Sequence, residues 1–388
     1  MADRILRGRV EPTRAEAEVH LAAGRIAAVN LATSTPEAAG ETARIISEPF
    51  VDIQVNGFAG VDFNRPLLTA HELRHAAETM WRHGVTRFFP TVITAPLEGM
   101  TRTLTAIRRA READSVLARA IPGIHLEGPF LCPEDGPRGA HPRASILNPD
   151  WDTFQRLQEA AGGLIRLVTV APERPGALEV IRRLTETGTV AAIGHSDAGE
   201  ADIDAAILAG ARLSTHLGNG AHALLPRHRN YIQKQLASDA LLASIIADGH
   251  HLTEFFVQNV VRCKRPERVI LTTDAMAAAA ASPGLYRLGE VIAEATPEGA
   301  VRLPGTPYLA GSALTMDRAV DNVRRFAGIP LSQALAMATL QARQLWPDLP
   351  GGLTAGAPAD FVILRDGQRL EVLETVIGGE TVYRAPGQ

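Results

Sequence analysis

Eight short apolar runs, each ending in a polar cluster, alternate along the middle of the chain with helix-length amphipathic segments. The runs begin at Phe50, Thr86, Ala120, Leu164, Thr189, Ala211, Leu241 and Arg268. Helix-length segments lie between most of them, as at 71–83, 100–111, 177–187 and 201–208. Eight alternations over about 280 residues predict an α/β fold, a (β/α)8 TIM-type barrel. A doubly wound open sheet is the alternative that this pattern leaves open.

The two ends of the chain have a different pattern. Residues 4–10 and 17–31 hold short apolar runs with turns, and residues 360–365 and 370–383 hold more, around the turn Gly378-Gly379. Such runs predict a small sheet rather than helices. We therefore expect residues 1–49 and 350–388 to form one small β-sandwich domain that is discontinuous in sequence, and residues 50–349 to form the barrel.

Composition narrows the class of protein. The 388 residues are 46% hydrophobic and 21% charged, which is usual for a globular chain, and the net charge is only −4. A near-neutral chain without a basic stripe argues against a nucleic-acid partner. Two cysteines, Cys132 and Cys263, exclude a disulfide scaffold and suit a reducing compartment. With no signal-like start and no 18-residue apolar stretch, we expect a soluble cytoplasmic protein without a membrane partner.

Candidate reactive side chains stand at the C-terminal ends of five predicted barrel strands. Strand three ends with His125 and Glu127, strand five with His195, strand six with His216, strand seven with His250 and His251, and strand eight with Asp274. Each alone has an ordinary explanation, such as a structural histidine or a helix N-cap. On a closed barrel, however, these strand ends meet at one face, so the coincidence predicts a single pocket.

Imidazole nitrogens and carboxylate oxygens are ligands that suit zinc or a similar divalent ion. Two histidines and a glutamate, with a fourth position open, are typical of a catalytic site, and we assign Glu127, His195 and His216 as ligands. Zinc is the expected ion, although iron, manganese and cobalt accept the same set. Asp274 would then act as general base and acid. His141, in the loop after strand three, could polarise a substrate carbonyl, or it could be a loop histidine without a role.

Several of these segments, in this order, resemble the N-acetylglucosamine-6-phosphate deacetylase family of the amidohydrolase superfamily. The similarity covers nearly the whole chain, and its segments are 50–60, 125–130, 139–142, 194–197, 215–217, 248–251, 273–275, 309–316 and 351–363. The Glu-Gly-Pro motif and the later Gly-Ser-x-Leu-Thr-Met motif are its specific parts.

The resemblance implies a metal-dependent hydrolase that converts N-acetylglucosamine 6-phosphate to glucosamine 6-phosphate and acetate. It also implies a homodimer. By matching motif, it implies metal binding by Glu127, His195 and His216, acid–base chemistry by Asp274, a contact of His141 with the acetamido oxygen and of His251 with the sugar, and a backbone contact of Asn219 and Gly220 with the phosphate.

Two departures from the pattern bear on the site. Many superfamily members have His-x-His on strand one for a second metal, whereas this chain has Gln54-Val-Asn56, which some single-metal deacetylases share. We therefore expect one metal ion. The predicted fourth strand contains no lysine, which excludes a carbamylated lysine bridge there.

The second departure follows strand six. The family commonly has an Arg-Glu-Pro-Gly segment there, and this chain has residues 220–232 with Arg227 and Arg229 instead. Either guanidinium suits phosphate geometry, but a solvated basic loop explains both residues equally well. A related amidohydrolase that deacylates a different, non-phosphorylated N-acyl substrate is therefore an alternative function. A non-catalytic sugar-phosphate sensor is another, although no ligand or acid–base residue is missing.

Overall fold

A computed structural model describes residues 4–11, 13, 15–31, 44–65, 67–306 and 308–387. Residues 1–3, 12, 14, 32–43 and 388 of the predicted terminal domain, and residues 66 and 307 of the predicted barrel, lie outside the described residues.

Twenty strands and ten α-helices form within the described part of the chain. The strands are β1 (Arg4–Val10), β2 (Ala15–Ala22), β3 (Arg25–Leu31), β4 (Arg44–Ser47), β5 (Phe50–Val55), β6 (Gly57–Phe58), β7 (Val61–Asp62), β8 (Val85–Ile93), β9 (Ile124–Glu127), β10 (Ile165–Val170), β11 (Val190–Ile193), β12 (Leu213–Ser214), β13 (Leu242–Ile245), β14 (Val269–Leu271), β15 (Gly284–Leu288), β16 (Val291–Ala295), β17 (Val301–Arg302), β18 (Phe361–Asp366), β19 (Leu370–Ile377) and β20 (Glu380–Arg384). The helices are α1 (Ala70–Trp81), α2 (Leu97–Ala113), α3 (Ser115–Ala120), α4 (Trp151–Ala160), α5 (Ala177–Glu186), α6 (Glu200–Ala209), α7 (Tyr231–Ala237), α8 (Glu254–Lys264), α9 (Met316–Ala327) and α10 (Leu331–Ala338).

The eight predicted apolar runs are the eight strands of a parallel barrel. Its strands lie in the order β5, β8, β9, β10, β11, β12, β13 and β14. A parallel bridge between Val55 at the end of β5 and Ala275, four residues after β14, brings the two outer strands together, so that the barrel is nearly closed. The barrel prediction is confirmed, and the open-sheet alternative is wrong because of this bridge.

The four helix segments named from the sequence are α1, α2, α5 and α6, each with bounds shifted by less than one turn. Helix α1 shows how a local residue pattern determines where a helix begins. The Thr69 side chain accepts the backbone N–H of Glu72, and the Glu72 carboxylate accepts the N–H of Thr69. This capping box satisfies N–H groups that have no partner inside the helix.

Both chain ends contribute to one seven-stranded sheet, in the order β20, β19, β18, β4, β1, β2 and β3. Strand β18 pairs antiparallel with β4, and β4 pairs parallel with β1, so the two termini meet at that point. Val19, Ile46 and Phe361 lie in one buried apolar cluster of this domain. The predicted small β-domain from both termini is confirmed, whereas its limits at 49/50 and 349/350 stay a prediction.

A three-stranded antiparallel sheet, β15 to β17, stands between the last barrel strand and α9. It is tied to barrel loops by Gly289, whose N–H donates to Asp62 Oδ2 at 2.9 Å, and by His250, whose Nε2 lies 3.1 Å from the Glu298 carbonyl. The sequence prediction did not include this sheet, although the alternating exposure along β15 and β16 is its signal. In the described ranges, no helix is long and apolar enough to cross a membrane.

Candidate active site

Three side chains from the carboxyl-terminal ends of three barrel strands meet at one point. Glu127 ends β9, His195 follows β11 and His216 follows β12, and all three are buried. Glu127 Oε1 lies 3.2 Å from His195 Nε2 and 2.9 Å from His216 Nε2, and the two Nε2 atoms lie 3.1 Å apart. Tetrahedral ligand atoms at about 2.0–2.1 Å from a zinc ion are about 3.3 Å apart. This oxygen and these nitrogens therefore fit a single divalent ion, and we call the three residues the triad.

The charge state of the triad also favours a cation. Burial opposes a charge on Glu127, but the hydrogen bonds and charges of the two histidines hold its pKa well below the usual value. Burial likewise opposes a charge on His216, and the bond to Glu127 outweighs it and raises the pKa of His216. Glu127 is therefore ionised, which is the form in which a carboxylate ligates a cation.

The backbone is strained at three residues of the site. His195, His216 and Asp274 have φ angles of 50°, 28° and 48°, in the left-handed region that side chains with a Cβ rarely adopt. Each such residue costs of order 1–3 kcal/mol and persists only where its surroundings hold it. Their presence together, at the ends of three strands, is typical of a functional site.

The imidazole of His195 is oriented by its surroundings. Its Nδ1 lies 2.7 Å from the Pro137 carbonyl oxygen, which can only accept a hydrogen bond. Nδ1 therefore carries the proton, and Nε2 presents its lone pair to the triad. A Cβ on Gly220 would lie 2.6 Å from Nδ1, and one on Gly139 would lie 3.2 Å from Cε1. Glycine at both positions leaves room for this ring.

Asp274 lies beside the triad and is held by two amides. Gln54 Nε2 donates to Glu127 Oε1 at 2.9 Å and to Asp274 Oδ1 at 3.0 Å, and Asn56 Nδ2 donates to the same Asp274 oxygen at 2.7 Å. Burial, followed by the charge of Glu127, raises the pKa of Asp274 to about 6. The sequence identifies Gln54 and Asn56 only as replacements for the His-x-His pair of a second metal site, and it does not predict their hydrogen bonds to the acids. Two polar side chains at i and i+2 of an apolar strand are the signal for their contacts.

His141 lies next to the triad and is buried. Its ring centroid is 4.4 Å from that of His195, and its donor atom lies within 4.8 Å of those of Glu127 and His195. His141 is thus a possible ligand, but His216 is much closer to the other two. Its Nδ1 lies 3.0 Å from Thr94 Oγ1, a contact that sequence reasoning missed. Burial, followed by the charge of His195, lowers the pKa of His141 to about 3, so the imidazole is neutral.

Asn219, Gly220 and His251 lie close to the same pocket. The backbone N–H and Nδ2 of Asn219 both donate to the His216 carbonyl, at 3.0 and 3.2 Å. His251 Nδ1 lies 2.7 Å from Asp248 Oδ2. The charge of His251 is among the influences that oppose the rise in the pKa of Asp274, so the two side chains lie within electrostatic range of each other.

The structure does not bring Arg227 and Arg229 to the triad. Both are exposed, and Arg229 Nε lies 3.7 Å from Glu200 Oε1 at the start of α6. Their loop is closed by its own contacts, since the His222 N–H donates to the Tyr231 hydroxyl at 2.8 Å. Among the residues the structure describes, neither arginine forms a contact with the triad.

A (β/α)8 barrel that gathers a carboxylate, two imidazoles and a buried aspartate at its carboxyl-terminal face defines a hydrolase that uses a divalent metal ion. The model of the amidohydrolase family matches residues 50–382. This chain belongs to the amidohydrolase family and, within it, to the group of N-acetylglucosamine-6-phosphate deacetylases.

Individual relatives agree with this assignment. The chain is 36% identical to N-acetylglucosamine-6-phosphate deacetylase of Bos taurus, over 88% of this chain and 84% of that protein. It is 35% identical to N-acetylgalactosamine-6-phosphate deacetylase of Shewanella sp. (strain ANA-3), over 87% and 82%. The structure of a mutant N-acetyl-D-glucosamine-6-phosphate deacetylase from Mycobacterium smegmatis, in complex with N-acetyl-D-glucosamine-6-phosphate, matches with a TM-score of 0.88 and 32% identity over 98% of this chain and all of that one.

Proposed function

We propose that this protein hydrolyses the acetamido group of N-acetylglucosamine 6-phosphate to give glucosamine 6-phosphate and acetate. The observation that carries the proposal is the triad, whose donor atoms lie 2.9–3.2 Å apart beside the buried Asp274. Relatives of this chain are named for that reaction.

Glu127, His195 and His216 would hold one divalent ion, with zinc expected and iron, manganese or cobalt as substitutes. When bound, such an ion supplies Lewis-acid polarisation of the amide carbonyl and lowers the pKa of water. The amides of Gln54 and Asn56 support a single ion, because both direct N–H groups at the acids and N–H groups cannot ligate a cation.

Asp274 would move the proton during hydrolysis. Its Oδ1 accepts bonds from Gln54 and Asn56, which leaves Oδ2 to take a proton from the attacking water and deliver it to the departing amine. A pKa of about 6 suits both transfers near neutral pH, because the group is ionised before attack and still basic enough to accept a proton.

His141 would stabilise negative charge on the acetamido oxygen. This role requires Thr94 to donate its hydroxyl proton to His141 Nδ1 at 3.0 Å rather than to the Glu127 carbonyl at 3.4 Å. The neutral imidazole then carries its own proton on Nε2 and can donate it to the carbonyl oxygen. Donors placed where charge develops contribute strongly to acyl transfer. His251 would contact the sugar, Asn219 and Gly220 would bind the phosphate through the backbone, and Arg227 or Arg229 would add a guanidinium contact.

The wider assignments belong to the same proposal. We propose a cytoplasmic homodimer that acts on a small amino-sugar phosphate and has no nucleic-acid or membrane partner. Residues 1–49 and 350–388 would form the small domain, and residues 50–349 the barrel.

The test is acetate release by the purified protein, reconstituted in turn with each of the four metals. We expect release from N-acetylglucosamine 6-phosphate, and loss of at least about a hundredfold in kcat in Asp274→Asn with the metal retained. No release from this substrate with any of these metals would overturn the proposal.

A second candidate is a related amidohydrolase that acts on a different, non-phosphorylated N-acyl substrate. The exposure of Arg227 and Arg229 favours it, because neither contacts the triad in the described structure. Turnover of N-acetylglucosamine with and without the 6-phosphate separates the two functions. Equal kcat/KM for both would support the second candidate.

A further inference from the structure

Glu173 accepts hydrogen bonds from the two residues that follow His195 in the chain. It lies in the loop after β10, and because β10 and β11 are parallel neighbours, the loops that follow them lie side by side. Glu173 Oε2 accepts the Ser196 hydroxyl at 2.7 Å, and Oε1 accepts the Asp197 N–H at 2.8 Å. Each carboxylate oxygen therefore holds a different residue of the segment after His195.

The backbone of His195 is strained, with φ at 50°. Such a conformation persists only where surrounding contacts hold it. Its carbonyl accepts the Cys132 N–H at 2.9 Å, and its ring is held by the Pro137 carbonyl at 2.7 Å. These contacts fix the residue from the side of the strand-three loop. Glu173 fixes it from the other side, through the chain that leaves His195 for α6.

The contact with Ser196 continues along the chain towards α6, because the Ser196 Oγ also accepts the Ala198 N–H at 3.0 Å.

We propose that Glu173 is a positioning residue for the metal site: it holds the strained backbone of His195 and so keeps His195 Nε2 at ligand distance from Glu127 and His216. Within the described structure, Glu173 contacts none of the three donor atoms itself, so its effect passes through Ser196 and Asp197. The inference rests on the proposed role of the triad as the metal-binding set.

The variants that test it are Glu173→Ala, which removes both acceptors, and Glu173→Gln, which keeps one acceptor for Asp197 and can donate to Ser196. Ser196→Ala removes one contact with a smaller change. Glu179→Ala is the matched control, since Glu179 lies on α5 of the same β/α unit and its carboxylate pairs with Arg182 and Arg183 on the surface.

Zinc and cobalt affinities of the metal-free proteins are measured by chelator competition, together with the visible spectrum of the cobalt form and the Tm of the metal-free form. Outer contacts to metal ligands typically change affinity 10–100-fold. We expect a loss of about that size and an altered cobalt spectrum in Glu173→Ala, a smaller loss in Ser196→Ala, near-complete recovery in Glu173→Gln, and no change in Glu179→Ala.

Unchanged affinity and an unchanged spectrum in both Glu173→Ala and Ser196→Ala would overturn the positioning role. A Tm drop in Glu173→Ala without any change in metal binding would overturn it as well, because the residue would then be merely structural. The two proposals can fail separately. If the wild type binds the ion and Glu173→Ala binds it more weakly, but no acetate is released from any N-acetylhexosamine, the proposed function is wrong and the positioning role stands.

Discussion

Gln54 Nε2 lies 3.0 Å from Asp274 Oδ1, and the same nitrogen lies 2.9 Å from Glu127 Oε1. One neutral amide therefore stands between the carboxylate of the triad and the carboxylate that is proposed to move the proton. Without a donor between them, two ionised carboxylates in a buried site would repel each other strongly. The hydrogen bonds from this amide stabilise the two carboxylates at a short distance from each other.

Asn56→Ala changes the pH dependence of hydrolysis. Asp274 must be ionised to accept a proton, so kcat/KM of the wild type is expected to fall as the pH drops through about 6. The Asn56 hydrogen bond favours the ionised form, and its removal raises the pKa of Asp274 and moves the acidic limb to higher pH. A pH–rate profile from pH 4.5 to about 9 measures the shift. The exposed Asn30→Ala variant is the control, and identical acidic limbs in all three proteins would contradict the assignment of Asp274.

His216→Ala and His141→Ala separate a ligand from an oxyanion donor. His216 Nε2 is 2.9 Å from Glu127 Oε1, so we expect His216→Ala to lose the metal during gentle dialysis. We expect His141→Ala to keep the metal and to lose about 10²–10³ in kcat, the usual effect of removing one oxyanion donor. Metal content by elemental analysis, measured beside kcat, distinguishes the variants. Loss of the ion from His141→Ala and its retention in His216→Ala would reverse the two roles.

Gly220→Ala tests the space around His195. The added Cβ would lie 2.6 Å from His195 Nδ1, closer than real Cβ contacts come, and the φ of 57° adds strain. We expect the ring to move and metal affinity to fall at least about tenfold. The control is Gly163→Ala, which has a φ of 81° but no atom within 4 Å, so it should lose about 1–2 kcal/mol of stability and keep its metal affinity. Equal metal affinities in the two variants would show that the ring is not confined there.

The sequence predicts those features of this molecule that depend on local residue pattern and on barrel topology. Apolar runs locate the strands, and a parallel barrel places every strand end on one face, so Glu127, His195, His216 and Asp274 come together without any knowledge of side-chain geometry. The resemblance to a known family added His251, Asn219 and Gly220, and it specified the acetamido oxygen as the contact of His141.

Contacts across long stretches of chain could not be read in this way. Gln54 is separated from Asp274 by 220 residues, and Glu173 from Ser196 by 23, and no periodicity links either pair. The positions of Arg227 and Arg229 depend on how their loop closes on Tyr231, which residue type alone does not fix. The sheet β15 to β17 was not predicted, because the barrel interpretation counted only the eight apolar runs, and these three strands follow the last of them.

Arg87→Ala should lower the stability of the whole chain through the contact between barrel and terminal domain. Arg87 Nη2 on β8 lies 2.5 Å from Asp360 Oδ2, both side chains are less than a tenth exposed, and Asp360 Oδ1 accepts the Gly378 N–H. Removing the guanidinium leaves a buried carboxylate uncompensated, which costs about 3–5 kcal/mol. Arg166→Ala is the control, because its partner Asp348 is two-thirds exposed and such pairs contribute about 0–1 kcal/mol. Urea unfolding measures both free energies. If Arg87→Ala loses no more free energy of unfolding than Arg166→Ala, water reaches the Arg87–Asp360 pair. The two domains would then be held together chiefly by their apolar contacts.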